Sequence, residues 1–364
     1  MHKTILIAID QLELGGAGRV CSLLANGLVD RGYDVAVCTA IQHHAVNYQL
    51  SEKITIKEWY DPEPVKHNVF GKIYNMFNRF KYYRRALKEV RPDVVIAFTH
   101  NMFFYVKMWS IGYGMPILAS DHTSMGRDLG KFTNFIRHHY YAKADAVTIL
   151  TEKDAKLLGN KLPNKKVLYN PNTFDILRQE TPRQKTILCV GRKDYWKVKG
   201  FDIMLNIWSR IESRHKDWRL SIVGPGKDGE EYLWEMSRSL GIEDRVTFVG
   251  NVLDMESLYQ SVEIFALSSR VEGFPVVLLE AMSQGCACIS FSMQGAIAEI
   301  IKQGEDGDIV EDGNIDAFAD KLEELMNDAD KRKRYSVVAR QNIARFSRES
   351  FVDKWETIIR DVIK

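Results

Sequence analysis

The stretch Ile264-Phe265-Ala266-Leu267-Ser268-Ser269-Arg270-Val271-Glu272-Gly273-Phe274-Pro275-Val276-Val277-Leu278-Leu279-Glu280-Ala281-Met282-Ser283-Gln284-Gly285-Cys286-Ala287-Cys288-Ile289 carries one complete structural unit. Ile264–Leu267 is a short apolar run, the signature of a strand covered on both faces. Pro275 falls where a helix begins, because its fixed φ and missing N–H are tolerated in the first turn. Cys286–Ile289 is a second apolar run. Strand, loop, helix and strand in this order predict a βαβ unit and therefore a parallel sheet. Glu272 lies in the loop, and Glu280 one to two turns into the helix. A loop carboxylate, the free N–H groups of a helix start and a second carboxylate can hold a polyol and an anion together. Glu280 reads equally well as a buried, hydrogen-bonded acid or as a solvated one.

The same grammar extends in both directions. Thr186–Val190, Leu220–Val223 and Val246–Val249 are further strand candidates upstream, and helices are expected at 315–326, 328–345 and 351–363. The first half repeats the pattern with strands at Thr4–Ile9, Asp34–Ala40, Val94–Phe98, Pro116–Ala119, Ala146–Leu150 and Lys166–Tyr169, and a helix from about Arg19 to Arg31. Two such sets predict an α/β protein of two Rossmann-like, doubly wound domains, residues 1–170 and 183–345. A Pro/Asn/Thr-rich linker joins them at 171–182, and a last helical segment occupies 346–364. Ligands of open α/β sheets bind beyond the carboxyl ends of the strands, so a cleft between the domains is the expected site.

The 364 residues are 45% hydrophobic and 27% charged, which suits a globular chain with sizeable cores and excludes disorder and disulfide-stapled miniproteins. The five cysteines lack CxxC spacing and read as buried hydrophobes in a reducing compartment. Neither a secretory leader nor a run of about 18 apolar residues is present, so a cytoplasmic protein, soluble or peripheral to a membrane, is expected. Net charge is +2, but residues 1–180 hold 24 Lys/Arg against 17 Asp/Glu and residues 181–364 hold 26 against 31. The basic half is expected to face something anionic. With a pI of 8.1, one basic patch and no recognised module, nucleic acid is disfavoured.

Two strand ends add glycine and charge. Gly15-Gly16-Ala17-Gly18 joins the first strand to a helix and allows main-chain N–H groups near an anion; Cys21 stands where a dinucleotide fingerprint needs a third glycine. Val190-Gly191-Arg192 leads into Lys197-Val198-Lys199-Gly200, placing a rigid guanidinium fork and mobile ammonium groups beyond a strand. Ile222-Val223-Gly224-Pro225-Gly226 is another strand entering a tight glycine turn.

Taken together, these residues resemble the retaining GT-B glycosyltransferases of family 4. Glu272 and Glu280 match that family's E-x7-E motif, continued by Gly273-Phe274-Pro275-Val276 and by Leu279-Glu280-Ala281-Met282. Gly191-Arg192 with Lys199-Gly200-Phe201-Asp202 looks like its GR…KG element, and Gly15-Gly16 like its N-terminal glycine loop. The resemblance implies that Arg192 and a lysine neutralise the diphosphate of a nucleotide-sugar, a UDP-sugar above all, in place of a metal. It implies that Glu280 binds the ribose, that Glu272 with the N–H groups of Gly273 and Phe274 holds the donor sugar, and that Gly224 belongs to the same site. Gly16 would let its loop approach the diphosphate, and His122 would sit near the reacting sugar. The final helix would cross back to the first domain. The family spacing is R-x4-K-G, whereas Lys199 lies two positions further from Arg192; Lys197 has the family distance but precedes Val198, so both lysines are candidates. Same-fold and other-class alternatives are a UDP-sugar epimerase, a nicotinamide-dependent dehydrogenase and a non-enzymatic lipid-binding scaffold.

On the acceptor side, residues 66–91 hold eight Lys/Arg and one acid, Glu89. Val69, Ile73, Met76, Phe80, Tyr83, Leu87 and Val90 alternate at spacings of four and three, predicting an amphipathic helix. Lys81, Arg84, Arg85 and Lys88 flank that stripe. They read either as a solvated helix side or as a docking surface for anionic lipid and the diphosphate of a lipid-linked saccharide. The second reading matches family members that extend polyprenyl-diphosphate-linked glycans, and it implies peripheral attachment to the cytoplasmic face of the inner membrane.

Overall fold

A computed structural model describes residues 3–12, 15–39, 48–58, 69–293 and 296–363. The chain divides into two compact units: one runs up to Pro171 and takes in the segment from Arg348, and the other is Asn172–Ser347.

The first unit is built on strands β1 (Thr4–Ile9), β2 (Asp34–Thr39), β3 (Thr55–Glu58), β4 (Val94–Phe98), β5 (Ile117–Ser120), β6 (Ala146–Ile149) and β7 (Lys165–Val167). All pair in parallel in the order β3-β2-β1-β4-β5-β6-β7. Its helices are α1 (Gly16–Asp30), α2 (Val69–Val90), α3 (His100–Trp109), α4 (Lys131–His138) and α5 (Glu152–Leu158). The apolar runs Val-Val-Ile-Ala-Phe of β4 and Ile-Leu-Ala-Ser of β5 are buried along their whole length, because helices cover both faces of the sheet.

The second unit holds β8 (Gln184–Val190), β9 (Arg219–Val223), β10 (Val246–Val249), β11 (Val262–Leu267), β12 (Ala287–Phe291) and β13 (Gly307–Val310). They too are parallel, in the order β10-β9-β8-β11-β12-β13. Its helices are α6 (Trp196–Lys199), α7 (Phe201–Ile211), α8 (Lys227–Ser239), α9 (Met255–Gln260), α10 (Val276–Ser283), α11 (Ile315–Asn327) and α12 (Ala329–Asn342).

The last helix, α13 (Arg348–Val362), packs on α1 of the first unit. Gly27 makes this possible: a Cβ there would come within 2.5 Å of Val352 Cγ2. Arg31 pairs with Asp353 at 2.5 Å, Tyr33 OH donates to Glu356 at 3.0 Å, and Trp355 is buried with its ring 6.4 Å from that of Phe98. No described helix is long and apolar enough to cross a membrane.

Two strands escaped the sequence pattern. β3 is the edge strand Thr-Ile-Lys-Glu, largely exposed, and β13 starts on Gly-Asp; neither presents the apolar run of a covered strand. α2 corrects the amphipathic stripe. Tyr83 and Leu87 are buried as expected, but Ile73 is 55% and Met76 45% exposed, with Tyr74 and Phe77 exposed beside them. Among the described residues the C-terminal half of α2 packs on an apolar partner, Tyr83 lying 5.8 Å from Trp109 of α3. The side chains of Val69 and Lys72 and the whole of 59–68 lie outside the described residues.

Candidate active site

Each sheet reverses its strand order once, between β1 and β4 and between β8 and β11. The carboxyl ends of the strands flanking such a reversal are where open α/β sheets bind ligands.

In the second unit these ends carry the motif residues. β8 runs into Gly191-Arg192, and β11 into Ser268-Ser269 and the loop bearing Glu272. The Arg192 guanidinium lies 5.3 Å from the Tyr195 ring centre, and its Nε is buried without a hydrogen-bond partner among the described residues. The two-residue insertion folds as a short 3-10 turn (Lys193–Tyr195) followed by α6. That turn brings Lys199 back to the site: its Nζ is 2.8 Å from Glu272 Oε1, which also accepts from Ser269 Oγ at 2.7 Å. Lys199 has three N–H donors, of which Glu272 engages one. Lys197 instead is exposed, 5.8 Å from the Trp196 ring. Lys193 is fully buried, paired with Glu230 at 2.6 Å and donating to Val249 O at 2.8 Å.

Glycine is required where the backbones converge. Gly200 has φ +64°, and a Cβ there would sit 1.9 Å from Ser268 O. Gly224 has φ +141°, and its Cβ would meet Gly191 O at 2.1 Å. Arg270 braces the loop by a two-pronged pair with Asp202 at 2.8 and 2.7 Å and by a bond to Lys197 O.

Pro275 precedes α10 and offers no side chain to cap the helix. Gly273 is half-buried, and Phe274 is buried edge-on to Phe346, ring centres 5.4 Å apart. Glu280 is buried; Thr173 Oγ1 donates to its Oε1 at 2.5 Å and Tyr259 OH to its Oε2 at 3.2 Å. Of the readings open in the sequence, the solvated one is excluded. Thr173 and Tyr259 carry no motif of their own, and their roles as partners emerge only from the fold.

In the first unit, Gly15 caps α1 and both Gly15 and Gly16 are exposed, with open space where a Cβ would be. The helix thus begins at Gly16, earlier than the expected Arg19. Gly15 N–H donates to Tyr48 OH at 2.8 Å, and that hydroxyl donates back to Gly15 O at 2.9 Å. At the strand-order reversal Thr99 Oγ1 donates to Asp10 Oδ2 at 2.9 Å. Thr99 holds φ +83°, a strained value for a β-branched residue, and strain of this kind clusters at functional sites. Burial raises the Asp10 carboxyl above its usual range and lowers the His100 imidazole. Asp10, Thr99 and His100 follow β1 and β4 directly; the strand-end rule alone points to them, although no motif does.

His122 follows β5. Its ring stacks on Phe98 with centres 4.8 Å apart, and Nε2 lies 3.0 Å from Ser120 Oγ, which accepts from Thr148 Oγ1 at 2.9 Å. His122 Nδ1 is buried without a hydrogen-bond partner among the described residues. Burial holds His122 neutral, its pKa pushed down to about 4.

The basic residues of α2 divide. Arg84 is committed to the end of α3, donating to Trp109 O at 3.3 Å and Ile111 O at 3.1 Å, and Arg85 pairs with Glu89 at 2.8 Å. Arg85 nevertheless keeps 80% of its side chain exposed. Lys81, 4.6 Å from the Phe77 ring, and Lys88 are exposed.

Two parallel α/β domains, with a cation pair and two carboxylates at the strand-order reversal of the second, define the GT-B class of group-transfer enzymes. The sequence profile of Glycosyl transferases group 1 matches residues 184–328, and that of Glycosyltransferase Family 4 matches residues 14–178. The chain belongs to glycosyltransferase family 4. A Campylobacter jejuni relative is 29% identical over 98% of both chains: GalNAc-α-(1→4)-GalNAc-α-(1→3)-diNAcBac-PP-undecaprenol α-1,4-N-acetyl-D-galactosaminyltransferase. The lipopolysaccharide 1,6-galactosyltransferase of Salmonella typhimurium is 30% identical, over 66% of this chain and 67% of its own. Among solved structures, Anabaena HepE in complex with UDP-glucose superposes with a TM-score of 0.82 at 18% identity, covering 99% of this chain and all of its own. The family assignment removes the dehydrogenase and scaffold readings, and the transferase relatives disfavour the epimerase.

Proposed function

We propose that this glycosyltransferase moves a hexose or N-acetylhexosamine from a UDP-sugar to a lipid-linked glycan, with retention of anomeric configuration and without a metal ion. The observation that carries the reading is the grouping of Arg192, Lys199 and Glu272 at the β8/β11 strand ends, with Glu280 buried in the helix α10 that follows. Glycosyl transfer breaks the bond from the anomeric carbon to the donor phosphate oxygen, the electron pair leaving with the diphosphate. Arg192 and Lys199 stabilise charge that grows on those oxygens only in the transition state. The acceptor oxygen bonds to the anomeric carbon on the face the diphosphate leaves, and its proton passes to a phosphate oxygen. Glu272 holds sugar hydroxyls and Glu280 the ribose, while neutral His122 hydrogen-bonds the reacting sugar. The UDP-glucose complex of HepE and the undecaprenol-linked substrate of the Campylobacter enzyme support the donor and acceptor classes.

A lipid-linked acceptor calls for contact with a membrane. Exposed Ile73, Tyr74, Met76 and Phe77, followed by Lys81 and Lys88, give α2 the apolar and cationic character of a helix lying on an anionic surface. The test is incubation with a panel of UDP-hexoses and UDP-N-acetylhexosamines and a polyprenyl-diphosphate-linked saccharide in EDTA, with product analysis by mass and anomeric coupling. A product gaining one sugar in the α configuration of the donor is expected. An inverted product, or turnover only with added magnesium, would overturn the mechanism.

A further inference from the structure

Beside His122 lies a buried ion pair with no part in the chemistry above. Asp121 and Arg137 are both withdrawn from water, Arg137 Nε donating to Asp121 Oδ2 at 2.8 Å. Tyr141 OH donates to the same oxygen at 2.9 Å, and Asp121 Oδ1 accepts the Thr123 N–H at 2.9 Å. The rest of the guanidinium is spent on main-chain carbonyls: Thr123 O and Ser124 O at 2.7 Å each, and Arg127 O at 3.3 Å. One side chain from α4 thereby ties down the loop from 121 to 127, and His122 sits between two residues it holds.

A buried ion pair is a poor source of stability, since apolar residues of equal volume commonly serve as well. What it supplies is geometry: six charge-assisted or polar bonds on one short loop leave that loop a single conformation. Reaction rates respond to such geometry, a displacement of about 1 Å costing on the order of 10²-fold. We infer that Arg137, together with Asp121 and Tyr141, is a positioning device that holds the His122 loop in its working conformation. The inference rests on the assignment of His122 to the reaction.

Arg137→Lys keeps a cation beside Asp121 but cannot span the three carbonyls. Tyr141→Phe removes one hydroxyl and leaves the ring packed edge-on to Phe103 at 5.3 Å. The expected result is a kcat lowered roughly 10- to 100-fold by the first and about 3- to 10-fold by the second. Donor KM should stay within about twofold in both, since the donor residues belong to the other unit. In a His122→Ala background each substitution should then change kcat by less than about twofold, because a device that acts through His122 has nothing left to position. Full-sized losses in that background would overturn the inference while leaving the function intact, as would wild-type kcat in both single variants. Should Arg137→Lys melt far below the wild type, the Tyr141→Phe and His122→Ala cycle decides alone. Wild-type kcat in His122→Ala itself would remove the His122 assignment and this inference with it.

Discussion

His122 is held neutral by burial, and that has a consequence for stability that can be measured apart from catalysis. Its pKa is pushed down to about 4 in the folded chain, against 6.5 for an ordinary histidine. Between those values the unfolded chain binds a proton that the folded one refuses, so stability is full above pH 6.5 and falls as the pH drops toward 4. The loss is on the order of 3 kcal/mol. His122→Asn should flatten this part of the profile, measured as the difference between its melting curve and the wild type's from pH 7.5 to pH 4.5. His100 and His138 are lowered too and titrate in both proteins, so the difference isolates His122. Parallel profiles would contradict the assignment. The two lysines make a second contrast. Lys199→Ala should lower kcat/KM by about 10²- to 10³-fold, the loss typical of one transition-state donor, and Lys197→Ala by less than about threefold. The reverse order, in steady-state rates, would return Lys197 to the phosphate. Sequence spacing could not choose between them, because the two inserted residues are absorbed in a turn that redirects the chain.

At the scale of elements, α2 shows what periodicity can and cannot say. The alternation of four and three from Val69 to Val90 does mark a helix, and its apolar stripe is real. Which part of the stripe is buried depends on what lies against it, and α3 covers only the half around Tyr83 and Leu87. Charge shows the same dependence: Lys81 and Arg84 look alike in sequence, yet Arg84 satisfies carbonyls at the end of α3. Lys81→Glu combined with Phe77→Ser should therefore weaken binding to anionic vesicles at least tenfold with little change in melting temperature. Arg84→Glu should instead destabilise the fold by about 1–3 kcal/mol, by facing a carboxylate onto those carbonyls. Sedimentation with vesicles and thermal melts separate the two; an Arg84→Glu protein that melts normally but leaves the membrane would contradict the division. The covered strands were legible because apolar runs between helices have few other uses. β3 and β13 were not, since an edge strand and a glycine start carry no such run.

For the molecule as a whole, two copies of one architectural rule organise the function. Each unit reverses its strand order once, and the residues the sequence marked out for the donor (Gly191, Arg192, Glu272) stand beyond the strands that flank the second reversal. The motifs were readable because glycine, arginine and carboxylates at strand ends have specific uses; the partners Thr173 and Tyr259 were not, being brought to Glu280 from distant positions by the fold. We propose that this second unit binds uridine diphosphate without a metal ion. The most direct measurement is the melting temperature of the intact chain with UDP, GDP, ADP or NAD in EDTA, for the wild type and for Glu280→Gln. At 100 times its Kd a ligand adds about 2.7 kcal/mol, a shift of a few degrees for a chain of this size. That shift is expected for UDP without metal, and its loss in Glu280→Gln. No shift with UDP in EDTA, or an equal shift in the variant, would contradict it.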